Sequence, residues 1–154
     1  MANLNWCKRQ KNGIRIIEPN ENLSDEYLKY AEETLLILKE IDGKSNMWLA
    51  TSKYYFEYFC FYSILMKLGI KCEIHDCTIE LCRFLEKEEI LFDDFTATLE
   101  KDKELRIENQ YYLKNTKVEI DYDELTNFLL KTKEVLNNLD YDLINKIRGE
   151  MNEK

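Results

Sequence analysis

The segment from Tyr54 to Leu68, YYFEYFCFYSILMKL, is apolar around nearly its whole circumference when it is drawn as a helix. Such a helix has no face suited to water, so it belongs at the centre of a bundle, or also at a subunit interface. It is shorter than the about 20 apolar residues that a membrane span needs, and it contains Glu57 and Lys67. The segment therefore predicts a buried central helix and no membrane anchor.

Glycine and proline, which interrupt helices and build tight turns, are rare throughout the chain. The 154 residues include four Gly and one Pro, whereas sheets joined by tight turns usually need more of both. We therefore predict an all-α fold. The expected product is a single domain over residues 1–154, a bundle of about five helices with residues 1–22 as an irregular N-terminal arm.

Capping residues predict where the helices begin and end. Ser24 is the predicted N-cap of the first helix, and Gly69 is predicted to end the helix that contains the apolar segment. Asp76 is predicted to cap the next helix, and Asp121 begins a capping-box pattern further along. Between these two, a highly charged helix that starts near Asp93 is predicted to lie on the surface.

The net charge and the cysteines limit the class of protein. A net charge of −8 argues against a protein that coats nucleic acid, because phosphate binding depends on Lys and Arg, but it leaves room for a local basic site. The five cysteines are an odd number without the spacing of a disulfide framework, and the opening MANLNWCKRQ lacks a signal-peptide pattern. We therefore expect reduced thiols and a cytoplasmic location.

The only histidine, His75, lies between Cys72 and Cys77 in the stretch KCEIHDCT. Structural zinc sites normally pair two short ligand motifs across a longer loop, whereas these three residues are contiguous. We therefore expect neither a metal nor another cofactor. Buried thiols are common core residues, so His75 is the residue of this stretch with a candidate functional role.

Residues 24–85 resemble the HEPN domains, small helical domains named for nucleotide binding in higher eukaryotes and prokaryotes. The resemblance rests mainly on Ala50–Cys82, where a small and a basic residue, a Tyr-Tyr pair, an apolar helix, a glycine turn and a histidine follow in that order. The preceding EYLKYAEETLLILKE is similar to the family's first helix, with Ala31 and Glu32 as its Ala-Glu pair. The resemblance is to the compact prokaryotic branch related to HEPN toxins and nucleotidyltransferase-associated HEPN proteins.

The resemblance implies a helical bundle that is homodimeric or bound to a partner. Active members are metal-independent ribonucleases, often toxins paired with a nucleotidyltransferase antitoxin, and their signature is an Arg followed within a few residues by a His. A histidine with a pKa of about 6.5 can accept the proton of a ribose 2′-OH at neutral pH, and a guanidinium can hold the phosphate.

This chain departs from that signature because no Arg precedes His75 at the expected spacing. Lys71, four residues before it, is the nearest cation upstream, and lysine lacks the planar fork of arginine. Folding can bring Arg9, Arg15 or Arg83 to the site instead. The catalytic candidates are therefore His75 and Lys71, and the candidates for substrate binding are Lys53, Tyr54, Tyr55, Lys67 and Asp76.

Two functions remain open at this point. One is an interaction module, or a nucleotide- or RNA-binding module, that partners a separately encoded nucleotidyltransferase in a toxin–antitoxin-like system. The alternative is a metal-independent endoribonuclease that uses His75 as general base with a Lys in place of the usual Arg. The missing Arg and the acidic surface favour the first function, and the histidine favours the second. In both cases we expect a homodimer, RNA or a nucleotide as ligand, and no membrane.

Overall fold

The computed structural model describes residues 2–152, and its regular structure is almost entirely helical. Within these residues the chain forms seven helices: α1 (Leu4–Arg9), α2 (Glu21–Ile41), α3 (Asn46–Leu68), α4 (His75–Lys87), α5 (Phe95–Gln110), α6 (Tyr122–Asn138) and α7 (Tyr141–Asn152). Two short strands, β1 (Arg15–Ile16) and β2 (Ile70–Lys71), pair antiparallel with Arg15 opposite Lys71. The all-α prediction is confirmed, but there are more helices than expected, and α1 and β1 lie in the segment predicted to be irregular.

Helix α3 is the central helix of the bundle, as its sequence predicts. It packs against α2, α5, α6 and α7 and buries large side chains on all sides, among them Tyr54, Phe56, Phe61 and Ile64. Burying each such side chain contributes about 1.5–3 kcal/mol, so α3 supplies much of the apolar stabilisation. No helix within residues 2–152 has both the length and the apolar character needed to cross a membrane.

Gly69 ends α3 where the sequence predicts, and it does so with a left-handed backbone, φ +75°. It also lies against Arg148 of α7, whose Nη1 donates hydrogen bonds to the carbonyls of Ile17, Leu68 and Gly69 itself at 2.6, 3.1 and 2.8 Å. The absence of a side chain at Gly69 is what lets the guanidinium approach. One arginine thereby ties the end of α3 and the chain before α2 to α7.

Gly69→Ala is expected to lower the free energy of unfolding by about 2–4 kcal/mol, because alanine is strained at positive φ and its Cβ has no room. That Cβ would lie 2.6 Å from the Ile17 carbonyl oxygen and against Arg148 Nη1. Gly149→Ala is the matched control, since nothing lies within 4 Å of its Cβ position in α7. Urea denaturation measures both, and equal stability of the two variants would contradict the prediction.

Helix α2 begins earlier than its sequence predicts. Asn20 is the N-cap, and its side chain accepts a hydrogen bond from the Leu23 amide at 2.9 Å. Ser24, the predicted cap, is buried in the first turn and donates to the Ser63 carbonyl of α3 at 2.6 Å. The prediction for Ser24 is therefore wrong, because both residues can cap and packing against α3 uses the serine hydroxyl instead.

Helix α4 begins at His75, and Asp76 does not cap it. Ile74 occupies the N-cap position without a side-chain hydrogen bond, and Asp76 lies exposed in the first turn, paired with Lys103 of α5. A carboxylate in the first turn still favours the helix, through the positive end of the helix dipole. Asp121, by contrast, caps α6 as predicted and accepts from the amides of Asp123 and Glu124.

Helix α5 is not the surface helix that its charges predict. It runs antiparallel to α3, since Phe95 packs against Phe61 at one end and Arg106 contacts Tyr55 at the other. Its inner face is partly polar, because Asp102 is buried there with the apolar side chains. A buried polar residue interrupts the periodic pattern of apolar residues by which the inward face of a helix is recognised in the sequence. This explains why the prediction was wrong.

The expectation that all five thiols are reduced is also wrong. Cys7 of α1 and Cys77 of α4 form a disulfide across a sequence separation of 70 residues. The cysteines Cys60, Cys72 and Cys82 are free and buried. The pairing depends on the packing of α1 against α4, which no local pattern predicts, and it fixes the N-terminal segment beside the first turn of α4.

Candidate functional site around His75

The imidazole of His75 is held between two tyrosines of α3. Its Nδ1 lies 2.7 Å from the hydroxyl of Tyr54. The ring of Tyr58 stacks on it, with centroids 5.0 Å apart and planes inclined by 23°. His75 itself is half-buried. The hydrogen bond and the stacking together fix the plane of the imidazole, which is a requirement for directed proton transfer.

Arg106 of α5 lies on the other side of the same tyrosine. Its guanidinium carbon is 4.9 Å from the ring centroid of Tyr54 and 5.6 Å from that of Tyr55, and Nη1 donates to the Tyr55 hydroxyl at 3.3 Å. Within residues 2–152 Arg106 forms no ion pair with a carboxylate, and its buried Nε has no hydrogen-bond partner. Aromatic rings therefore hold a cation that has no acidic partner in the described part of the chain.

Lys103, one turn before Arg106 on α5, connects this helix to the beginning of α4. Its ammonium group forms an ion pair with Asp76, the residue that follows His75. The lysine side chain is largely buried, whereas the carboxylate is exposed. Helices α3, α4 and α5 thus meet at His75, each contributing at least one polar side chain.

The pKa of His75 is lowered from its ordinary value of 6.5. Burial is the main cause, the charges of Arg106 and Lys103 add to it, and Asp76 acts in the opposite direction. At pH 7 the imidazole is therefore mostly neutral, which is the form that accepts a proton.

The hydrogen bond between Tyr54 and His75 runs in one of two directions, which determine where the imidazole proton lies. When Nδ1–H donates to the tyrosine oxygen, Nε2 carries a lone pair and can act as a base. When the hydroxyl donates to Nδ1, Nε2 carries the hydrogen. Burial raises the pKa of Tyr54, so its hydroxyl stays protonated in both arrangements.

Because His75 is the only histidine, its titration can be followed by NMR without assignment of other imidazoles. We expect a midpoint below 6.5 in the unmodified protein, a higher midpoint in Arg106→Gln and a lower one in Asp76→Asn. Folding stability is expected to fall as the pH falls from 6.5 through that midpoint, since the unfolded chain then binds the extra proton. A midpoint that is the same in all three proteins would contradict the electrostatic coupling.

The structure brings four of the predicted site residues together: His75, Asp76, Tyr54 and Tyr55. Tyr54 and Tyr55 were predicted as substrate-binding residues, and in the structure Tyr54 is hydrogen-bonded to His75 and Tyr55 to Arg106. Asp76 contacts the site through its ion pair with Lys103. These residues come from α3 and α4, the part of the chain that carries the resemblance to HEPN domains.

The predicted lysines lie elsewhere or have other partners. Lys71, on β2, pairs with Glu73 at 3.1 Å. Lys67 donates to the Leu136 carbonyl at 2.8 Å, 13 residues along α3 from Tyr54, which is about 20 Å on a helix. Lys53 points into the protein. Within residues 2–152, the ion pairs and hydrogen bonds of these three lysines are with residues other than His75.

The cation beside His75 that sequence reasoning missed is Arg106. Of the arginines considered, Arg15 pairs with Glu73, Arg83 pairs with Glu80 and Glu100, and Arg9 is exposed on α1. Arg106 lies 31 residues after His75, and only the antiparallel packing of α5 on α3 brings it there. The spacing of Lys103 and Arg106, three residues apart on one helix face, was the signal in the sequence.

A buried cluster of charges lies one turn away from this site, between α3 and α5. The Nζ of Lys53 is 2.8 Å from Oδ2 of Asp102 and 4.0 Å from Oε2 of Glu57. Burial and the neighbouring carboxyl group of Asp102 raise the pKa of Glu57 well above 4.5. Burial opposes the charge of Lys53, but the two acids outweigh it and raise the pKa of the lysine. The raised pKa favours the protonated form of Glu57.

The groups around His75 suit proton transfer and anion binding. Within residues 2–152 no group of three or more His, Cys, Asp or Glu side chains is placed to hold a metal ion. Cys77, one of the three contiguous residues considered above, is bonded to Cys7.

The sequence matches no protein-family model, and comparison with curated proteins and with solved structures also finds no match.

Proposed function

We propose that this protein cleaves RNA without a metal ion, with His75 as the general base and Arg106 as the phosphate-binding group. The observation that carries the proposal is the position of Tyr54, which is hydrogen-bonded to the imidazole at 2.7 Å and lies under the guanidinium at 4.9 Å. A proton acceptor and an arginine without a carboxylate partner within residues 2–152 are thereby held side by side. The resemblance of residues 24–85 to HEPN domains supports RNA as the substrate.

The reaction that fits these groups is transfer of the phosphoryl group to the neighbouring ribose hydroxyl. His75, in the tautomer with a free Nε2, takes the proton of the 2′-OH. The 2′-oxygen then attacks phosphorus, and the bond from phosphorus to the 5′-oxygen breaks. That oxygen leaves with a proton from water, and His75 returns its own proton to solvent. The products are a 2′,3′-cyclic phosphate and a 5′-hydroxyl end.

The two cations of α5 stabilise the charge that grows on the phosphoryl oxygens. Arg106 offers N–H groups in a planar fork, which suits two oxygens at once. Lys103 adds a positive charge nearby, moderated by Asp76. Both cations also keep the pKa of His75 low, so the base is in its active form at neutral pH.

A second candidate is the binding module without catalysis, partnered by a nucleotidyltransferase or by a second copy of the chain. The observation that favours it is on the surface of α2, where the aliphatic side chains of Leu36 and Ile37 are exposed to solvent. Adjacent exposed apolar side chains mark a candidate surface for contact with a partner. In this case the site around His75 binds a nucleotide or RNA and leaves it intact.

The experiment that separates the two functions is an RNA cleavage assay with the chelator EDTA present. We expect cleavage of single-stranded RNA, cyclic phosphate ends in the products, and no cleavage of a substrate with 2′-deoxyribose at every position. His75→Ala protein purified in the same way controls for contaminating nuclease. Cleavage that EDTA abolishes would contradict the metal-free mechanism, and binding without cleavage would favour the second candidate.

A further inference from the structure

Large aromatic side chains are exposed at the end of the bundle where α3 begins and α5 ends. Trp48 is 56% exposed, Tyr111 is 64% exposed and Tyr112 is 69% exposed. Several large aromatic side chains exposed at one end of a protein mark a candidate place of interaction. We call these three residues the aromatic patch.

The packing of α3 and α5 brings the three residues of the patch to one end of the molecule. Asn46, in the first turn of α3, donates to the Asn115 side chain at 3.0 Å and accepts from the Val118 amide at 3.2 Å. These bonds hold the segment after α5 against the start of α3. Tyr111 and Tyr112, which begin that segment, therefore lie near the end of α3 that carries Trp48.

One residue of the patch lies on the same face of α3 as a residue of the proposed site. Trp48 and Tyr55 are seven residues apart on α3 and so share one helix face, and Tyr55 is the residue that accepts a hydrogen bond from Arg106. Seven residues of helix span about 10 Å, the length of about three stacked bases at about 3.4 Å each. Tyr55 is half-buried, so part of this side chain is accessible to a ligand.

The chemistry of this surface fits unpaired bases better than another protein chain. Aromatic side chains at this end of α3 are followed along the helix by Tyr55, which contacts Arg106, a cation without a carboxylate partner among the described residues. Rings with a cation are the combination that binds single strands through stacking and phosphate contact. The aliphatic surface of α2, with Leu36 and Ile37, lies on another helix. In a duplex the base faces are covered, so aromatic residues gain nothing from stacking there.

We propose that the site binds single-stranded RNA and that unpaired bases next to the scissile phosphate stack on Trp48 and Tyr112. Tyr55 then lies between this aromatic patch and Arg106. This inference rests on the proposed function, since it names the form of substrate that the site around His75 receives. Duplex RNA is then a poor ligand, and the patch sets the length of unpaired RNA that the protein requires.

The tryptophan content makes the test direct, because the chain has two tryptophans, Trp6 and Trp48. Trp6→Phe leaves Trp48 as the only reporter, and the probe is a 12-nucleotide 2′-O-methyl oligouridine, which the proposed reaction cannot cleave. We expect this single strand to quench Trp48 fluorescence. The same strand in a 2′-O-methyl duplex with oligoadenosine is expected to leave that fluorescence unchanged. In Trp48→Phe protein, the single strand is expected to leave Trp6 fluorescence unchanged.

Affinity measurements supply the matched controls. In fluorescence anisotropy with the labelled single strand, Trp48→Ala and Tyr112→Ala are each expected to raise the Kd about tenfold, the usual effect of losing one stacking side chain. Tyr141→Ala is the control, because Tyr141 is 78% exposed on α7 and does not belong to the patch. It is expected to change the Kd less than twofold.

The inference and the proposed function fail in different ways. RNA cleavage that persists with an unchanged Kd in Trp48→Ala and Tyr112→Ala would overturn the stacking inference and leave the function standing. The absence of both cleavage and RNA binding would overturn both. A change of Trp48 emission with protein concentration alone, without RNA, would assign the patch to contact between copies of the chain and overturn the inference.

Discussion

Arg106→Ala is expected to lower the rate of RNA cleavage by about a thousandfold, at the upper end of the effect of removing one preorganised donor from an active site. The loss is expected mainly in kcat, because the developing charge on the phosphoryl oxygens exceeds that of the bound substrate. Arg106 is half-buried over Tyr54 and Tyr55. Urea denaturation of the variant is therefore measured beside its kinetics, to separate lost chemistry from lost folding.

Three further variants show whether the effect belongs to Arg106. Arg106→Lys keeps the charge without the planar fork and is expected to recover only part of the rate. Arg83→Ala removes an arginine that is paired with Glu80 and Glu100 on the surface, and Lys71→Ala removes the cation nearest to His75 in the upstream sequence. Both are expected to stay within a few-fold of the unmodified protein.

The result for Lys71 decides between two versions of the site. Lys71 is paired with Glu73 at 3.1 Å, so its charge is already neutralised locally. A large loss in Lys71→Ala with little loss in Arg106→Ala would contradict the assignment of the phosphate group to α5. It would restore the site expected from the sequence alone, in which Lys71 replaces the family's arginine.

Much of the fold could be predicted from short-range patterns. Gly69 and Asp121 mark helix ends through backbone geometry and a side-chain cap, which depend on neighbours within one turn. Ser24 shows the limit of this reasoning. Asn20 and Ser24 are both good caps, and the choice between them depends on Ser63, 39 residues away.

The candidate site was only partly predictable, because some of its residues are close in sequence and others come together only through long-range packing. His75 and Tyr54 are 21 residues apart on either side of the turn at Gly69, and the extended chain after this turn returns along α3, where the Tyr62 hydroxyl donates to the Cys72 carbonyl. Arg106 and Lys103 arrive through α5, whose packing on α3 is set by long-range contacts. The charges of α5 predicted a helix exposed to solvent. Because Asp102 is polar but buried, the sequence pattern did not show which face of α5 packs inward.

The buried cluster explains why α5 packs on α3 in the register that the site requires. Lys53 precedes Tyr54 on α3, and Asp102 precedes Lys103 on α5. The 2.8 Å contact between Lys53 and Asp102 therefore aligns the two helices at the position where Arg106 reaches Tyr54. An ionic contact has a narrow range of distances, whereas apolar side chains tolerate a shift, so the cluster specifies register more than it adds stability.

Asp102→Ala is accordingly expected to lower the free energy of unfolding by about 3 kcal/mol, because it leaves the mostly buried Lys53 without its hydrogen-bonded partner. The expected loss lies at the low end of the range for broken buried pairs, since Glu57 remains 4.0 Å from the ammonium group. Glu100→Ala is the matched control on the same helix. Its carboxylate forms an exposed pair with Arg83, and its loss is expected to cost at most about 0.5 kcal/mol.

Glu57→Gln tests the proton that the cluster is inferred to hold. A raised pKa in the folded protein means that stability is fully present below the ordinary value of 4.5 and is lost as the pH rises through the folded value. Glutamine cannot ionise and imitates the protonated acid, so the stability of the variant relative to the unmodified protein is expected to increase as the pH rises above 4.5. Urea denaturation at a series of pH values measures the difference. If the difference instead stays constant across the series, Glu57 ionises as readily in the folded protein as in the unfolded chain, and the cluster carries a net negative charge beside the site.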